Sequence, residues 1–151
     1  MRDKLIIFLL LLLYISTTSS VAPKKCSGDE EYDKGVTMLK DYTLVKDYRV
    51  SLGSGKKGEA SPSINYPISL TKGMKYKLFA VNHPDNTNKM IVSIFANEKG
   101  EVLLASTYST SVKKHYDYVE FDCKTTGTFY ITFQFEGGAS GCGVGFFCIH
   151  K

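Results

Sequence analysis

Between residues 129 and 135 the chain alternates without a break. Phe129, Ile131, Phe133 and Phe135 fall on one side, Tyr130, Thr132 and Gln134 on the other. A period of two sends successive side chains to opposite faces of an extended strand, so such a segment buries its apolar side only within a sheet. The same period recurs along the chain. Tyr48, Val50 and Leu52 alternate with Asp47, Arg49 and Ser51. Ile64, Tyr66, Ile68 and Leu70 follow, with Pro67 marking an edge strand or a bulge. After the turn Thr71-Lys72-Gly73 come Met74, Tyr76, Leu78 and Ala80, separated by Lys75, Lys77 and Phe79. Residues 90–96 and 101–107 flank the hairpin turn Asn97-Glu98-Lys99-Gly100, and residues 116–123 and 142–149 supply two further strands. Eight or nine short strands at even spacing predict an all-β, jelly-roll-like antiparallel β-sandwich, with room for one short helix near residues 30–39.

The start of the chain reads as an export signal. Arg2 and Lys4 precede eleven uninterrupted apolar residues, 5–15, and then the small residues of 16–22. Basic start, short apolar stretch and small residues are the parts of a secretory signal peptide, and the apolar stretch is too short to span a bilayer. Residues 1–22 are therefore expected to leave, with cleavage after Ser20 as the alternative because Pro23 hinders the later bond. Residues 23–63 then supply N-terminal strands and a loop to the same domain whose main body is 64–151. Lys24 and Lys25 stand where a lipidated cysteine needs small apolar neighbours, so Cys26 is read as unlipidated. No later run reaches membrane length, so no transmembrane segment is expected in the mature chain, which is placed in the periplasm or at the cell surface.

Four cysteines follow the leader: Cys26, Cys123, Cys142 and Cys148. In an oxidising compartment an even number predicts two disulfides. Cys142 and Cys148 lie at the ends of one predicted strand, roughly 20 Å apart, too far to bridge. The expected pairs are Cys26–Cys142 and Cys123–Cys148, the latter on two strands running the same way. Zinc is disfavoured because no Cys-x2-Cys pair exists and the histidines are not grouped with the cysteines.

The net charge is only +4, with both signs mixed along the chain, so nucleic acid is not an expected partner. Charged residues at 23% and hydrophobic residues at 43% also exclude a mainly disordered chain. No nucleophile elbow, zinc-protease helix or phosphate-cradling loop is present. His83, His115 and His150 stand apart in sequence from any catalytic pattern, so neither enzymatic activity nor a cofactor is expected. The oxygen-rich run 82–88 reads as a turn rather than a calcium loop, because a lone Asp85 is too little charge. Lys56-Lys57 and Lys113-Lys114 read as solvated faces. Tyr108, Tyr116, Tyr118 and Tyr130 are not clearly core, and exposed tyrosines favour protein or sugar contact.

The order of motifs resembles one bacterial family. Leu70-Thr71-Lys72-Gly73-Met74-Lys75-Tyr76 resembles the Leu-x-x-Gly-x-x-Tyr opening of pre-peptidase C-terminal (PPC)-like domains. The segment 94–105 looks like their glycine-centred hairpin, and Gly127-Thr128-Phe129-Tyr130 is similar to their Gly-Thr-Tyr strand. The resemblance covers residues 64–149 and implies a non-catalytic secreted β-sandwich, usually appended to secreted enzymes or surface proteins. This chain departs from that habit in carrying no enzyme domain, and its cysteines lie outside the common pattern. The expected function is binding of another protein at the bacterial cell envelope, as an accessory subunit of an outer-membrane or secretion assembly. The alternative is an autonomous glycan-binding or adhesion module.

Overall fold

Each alternating segment forms a strand, and the turns fall on glycine, asparagine and threonine. The computed structural model describes residues 26–151; the signal peptide read at 1–22 lies outside the described residues. A helix α1 (Asp29–Thr37) precedes β1 (Tyr42–Leu52), β2 (Ser63–Leu70), β3 (Lys75–Asn82), β4 (Met90–Phe95) and β5 (Leu103–Ser106). Two short strands, β6 (Tyr108–Ser109) and β7 (Lys114–His115), form a ribbon of their own. They lead to β8 (Tyr118–Asp122), β9 (Gly127–Phe135) and β10 (Gly141–His150). One sheet, A, has the order β1-β10-β3-β8; the other, B, has β2-β9-β4-β5. All pairings are antiparallel. Leaving the short ribbon aside, the orders are first-eighth-third-sixth and second-seventh-fourth-fifth, the double Greek key of a jelly roll.

The core lies between the sheets. Leu78, Val92, Ile94, Ile131, Phe133 and Phe135 are fully enclosed there. Phe133 is central: its ring lies 5.1 Å from that of Tyr48 and 6.1 Å from that of Tyr66. Gly145 on β10 makes room for it, because a Cβ at that position would stand 2.0 Å from Phe133 Cε1. That explains why β10 alternates glycines on its core side with Val144, Phe146 and Cys148 on the other.

The outward side of β10 is covered as well. There α1 packs on Val144, Phe146, Phe79 and Val81, with Tyr32 stacked on Phe146 at 6.1 Å. Gly35 sits directly against the Phe146 ring, where any side chain would collide. Asp29, in the first turn, is ion-paired with Arg49 of β1 at 2.7 Å. At the other end Lys77 Nζ donates to the Met38 carbonyl at 3.2 Å, satisfying a helix-terminal acceptor with a positive charge. With both faces of sheet A covered, β10 reads as a nearly continuous apolar run.

Two features differ from the sequence reading. β1 begins at Tyr42, six residues before the alternation at Tyr48 became visible. The register slips between Leu44 and Lys46, leaving Val45 as a bulge. One extra residue flips every side chain to the other face. Tyr42 and Leu44 thus pack on the helix side, whereas Tyr48 and Val50 point into the core.

The second difference concerns the cysteines. Cys26 and Cys142 are bonded, with Cα atoms 6.2 Å apart, but Cys123 and Cys148 are free and buried. Their strands do run the same way, since both β8 and β10 pair antiparallel with β3. β3 lies between them, however, which separates them by two strand spacings, about 9–10 Å. Their thiols also face opposite ways: Cys123 belongs to the core between the sheets, Cys148 to the cluster under α1. Cys123 Sγ donates instead to the Thr125 carbonyl at 3.0 Å, and burial pushes the Cys148 thiol up to about 11.

The tyrosines make the core sensitive to alkali. Burial, with Tyr66 adding to it, pushes the Tyr48 phenol up to about 12, against about 10 for an unfolded tyrosine. The folded state therefore holds this proton more tightly, and its contribution is complete below pH 10 and lost as pH rises toward 12. Urea midpoints measured between these limits should fall by the equivalent of on the order of 1–2 kcal/mol. Tyr48→Phe should flatten that fall. An equally steep fall in this variant would mean that Tyr48 is not responsible.

Candidate functional site

The outer faces of the two sheets are unlike. Sheet A's is covered by α1 and edged with charge. Glu120 of β8 accepts from the Tyr42 hydroxyl at 2.6 Å and from Lys75 Nζ at 3.2 Å. Lys77 Nζ stands 4.6 Å from the Tyr118 ring centre and 5.2 Å from that of Tyr42.

Sheet B's outer face carries no charged side chain in its paired rows, and its centre is enclosed, with Ile91, Ser93 and Thr132 buried. The registers set these rows side by side. Ser63, Gln134 and Ile91 form one; Asn65, Thr132, Ser93 and Ser106 the next; Pro67, Tyr130, Phe95 and Leu103 the third; Ser69 and Thr128 the last. Ser93 Oγ donates to Ser106 Oγ at 2.9 Å. An open groove of about 430 Å³ runs beside them, lined by Ile91, Phe95, Leu103, Leu104, Tyr108 and Gln134, among others.

The lip of that groove is the edge strand β5. Val102, Leu103 and Leu104 are 50%, 54% and 38% exposed, a run of three consecutive aliphatic side chains turned to solvent. The register skips Leu104, which bulges from the strand. The other three edges are guarded in the ways that keep sheets from pairing with strangers. β1 carries Lys46, Asp47 and Arg49, β2 carries Pro67, and β8 carries Glu120 and Asp122. β5 has neither charge nor proline.

A second cleft, of about 280 Å³, lies at the disulfide end, between Cys26, Cys142, Ser51, His83, Asp85 and Asn86. Its polar groups are occupied in holding the loop. Asn86 Nδ2 donates to the Cys142 carbonyl at 2.6 Å, and the Cys142 amide donates back to Asn86 Oδ1 at 3.1 Å. Asn88 Nδ2 donates to the Glu136 carbonyl, and Asn82 Oδ1 accepts from the Met90 amide, each at 2.7 Å. The asparagines of 82–88 are thus structural.

The histidines are scattered. His83 Nδ1 accepts from the Asp85 amide at 3.3 Å. His115 Nε2 lies 2.9 Å from Glu136 Oε2 and its ring 4.6 Å from that of Tyr108, tying the β6–β7 ribbon to the end of β9. His150 packs edge-on against Tyr42 at 5.1 Å. Among the described residues no group of three or more His, Cys, Asp or Glu side chains could hold a metal ion, and no helix is long and apolar enough to cross a membrane.

Of the four tyrosines left open by the sequence, Tyr116 and Tyr118 are about half exposed, with Lys114 and Lys77 over their rings. Tyr108 is half-buried on His115, and Tyr130 lies half-buried in the aromatic row of sheet B. The structure does not bring the four together on one surface: Tyr118 is on sheet A, Tyr130 on sheet B. The sequence reading missed the uncharged face and the exposed run 102–104. The first was visible in the outward positions of β2, β4 and β9, none of which is charged.

The chain is a jelly-roll-like antiparallel β-sandwich in which α1 covers the outer face of sheet A. No protein-family model matches it, and no curated protein matches it. Among solved structures it is similar to Aeromonas hydrophila PliG, described as a periplasmic lysozyme inhibitor of g-type lysozyme. The TM-score is 0.47 with 8% sequence identity, over 70% of this chain and 83% of that one.

Proposed function

We propose that this chain is an exported, non-catalytic binding domain of the bacterial cell envelope. It holds another protein, as an accessory subunit of an outer-membrane or secretion assembly. The observation that carries this reading is the exposed run Val102-Leu103-Leu104 at β5, an edge of sheet B with neither charge nor proline. The occupant is an extended, uncharged segment of the partner, laid along β5 with its apolar side chains over Leu103 and Leu104. Extended segments commonly bind at sheet edges, gaining main-chain hydrogen bonds and side-chain pockets together. The Cys26–Cys142 bond fits an oxidising compartment. The PPC-like motif order supports the same non-catalytic role.

Leu104→Lys tests the reading, because it sets a charge in the path of the partner while leaving the core untouched. Its stability should stay within about 0.5 kcal/mol of the parent. Recovery of the partner with a tagged chain from crosslinked cells should fall about tenfold or more, the equivalent of losing one well-buried leucine contact. Undiminished recovery with Leu104→Lys would refute the edge as the docking site.

A further inference from the structure

We propose that the tip of the β6–β7 ribbon docks on an anionic lipid bilayer. The ribbon pairs with neither sheet, and the turn between its arms, 110–113, carries Val112 at 63% exposure. Among the described residues no large hydrophobic side chain is more exposed. Lys113, beside it, has φ at +49°, in the left-handed region where glycine or asparagine is the usual choice. Turn chemistry alone favours glycine and small polar residues in such a place. The valine and the lysine both run against it, and together they make an apolar apex with a cation at its side. Lys114 is also exposed, its Nζ 5.3 Å from the Tyr116 ring centre, and that ring is itself about half exposed.

The stem below the tip is clamped. The Thr107 amide donates to the Val92 carbonyl and the Thr107 hydroxyl accepts from the Val92 amide, each at 2.9 Å, while the Thr107 carbonyl accepts from the Tyr116 amide at 2.8 Å. His115 on Glu136 ties the second arm to the end of β9. Another loop adds to the cationic side: Lys89 is exposed and lines a small hollow with His115, Tyr116 and Asp117. Three lysines thus stand near two carboxylates, Asp117 and Glu136, the second of them engaged by His115. A bilayer of phosphate-bearing lipids offers both complements, anionic headgroups for the lysines and an apolar boundary beneath them for the valine. Tyrosine is at home at that level, and lysine stems reach up from it. A soluble polyanion would leave Val112 in water, and a neutral bilayer would leave the lysines unmatched. So few groups give a reversible contact that orients the chain on the membrane. Val112, Lys113 and Tyr116 do not line the groove at β5, so this surface is separate from the edge proposed for a protein partner.

The test is co-sedimentation of residues 23–151, the span expected to remain after export, with vesicles of phosphatidylcholine alone or with about 40% phosphatidylglycerol. The chain should bind the anionic vesicles at about 0.05 M salt, leave them at about 0.5 M, and stay off the neutral ones. Lys113→Glu with Lys114→Glu should weaken binding about tenfold or more, since each lysine near such a surface contributes about fivefold. Lys72→Glu with Lys124→Glu makes the same charge change in turns at the far end of β8, where the Lys72 amide donates to Thr126 Oγ1. That pair should weaken binding less than about threefold, because it lies beyond the screening length. The chain has no tryptophan, so Val112→Trp reports on the apex alone, and its emission should shift to the blue on anionic vesicles. All these positions are exposed, and the variants should melt with the parent. Equal binding to neutral vesicles, equal losses from the two lysine pairs, or an unshifted emission from bound protein would overturn the proposal. So would no binding at all, or a photo-crosslinker at Val112 that joins an acidic protein in cells in place of lipid.

Discussion

Replacing Cys26 and Cys142 together by serine should lower the melting temperature by roughly 10–20 °C. The bond ties the segment before α1 to β10 across a sequence separation of 116 residues. Cross-linking so long a loop removes much of the unfolded chain's freedom, and losing such a bond typically costs about 2–5 kcal/mol. For a domain of this size that corresponds to a shift of the stated order. Reductant added to the parent should produce the same shift, and reductant added to the double-serine variant should produce none. The companion measurement is a thiol count. In the unreduced parent Cys123 and Cys148 should react only after unfolding, because both are buried. If those two thiols fail to appear in unreduced, unfolded protein, a second bond exists and the separation by β3 is wrong.

Phe133→Ala should be the most damaging single change in the core, costing about 3–5 kcal/mol. The ring is 1% exposed, packs on Tyr48 and Tyr66, and occupies the space that Gly145 leaves on the facing sheet. With glycine opposite, the facing strand has no side chain at that position to refill the void. The cavity term therefore adds nearly in full to the lost transfer energy. Denaturant unfolding followed by tyrosine fluorescence measures it. A loss under about 1 kcal/mol would mean that the two sheets relax toward each other and that the core is less tightly packed than described.

The strands were legible because one buried face imposes a period of two, and β9 shows it most cleanly. Where a segment is buried on both faces the period fades, and β10 was recognised only as a short apolar strand between glycines. The first half of β1 was hidden for another reason. A bulge at Val45 reverses the phase, so Tyr42 and Leu44 are out of step with Tyr48 and Val50. Cys26–Cys142 follows from the sequence only as the remainder once Cys123 is paired with Cys148, because excluding a bond between the two ends of one strand still leaves Cys26–Cys148 with Cys123–Cys142 open. Cys123–Cys148 could not be judged in that way, because which strand lies between two others is a property of the topology and not of spacing.

The candidate face was less legible than the fold. An uncharged surface is made by what is missing from outward positions of four strands, and those strands are scattered between residues 63 and 134. The run Val102-Leu103-Leu104 looked like any apolar strand until its place at an edge put it in solvent.

The most direct test of the docking reading is a photo-crosslinking amino acid placed at Leu103, with a second placed at Thr43 on β1, an edge of sheet A, as control. Both are introduced into the tagged chain in cells that naturally make it. Irradiation should join the Leu103 derivative to one stoichiometric envelope protein, with Leu104→Lys abolishing the adduct and the Thr43 derivative giving none. Equal adducts from both positions, or none from Leu103, would contradict a partner docked along β5.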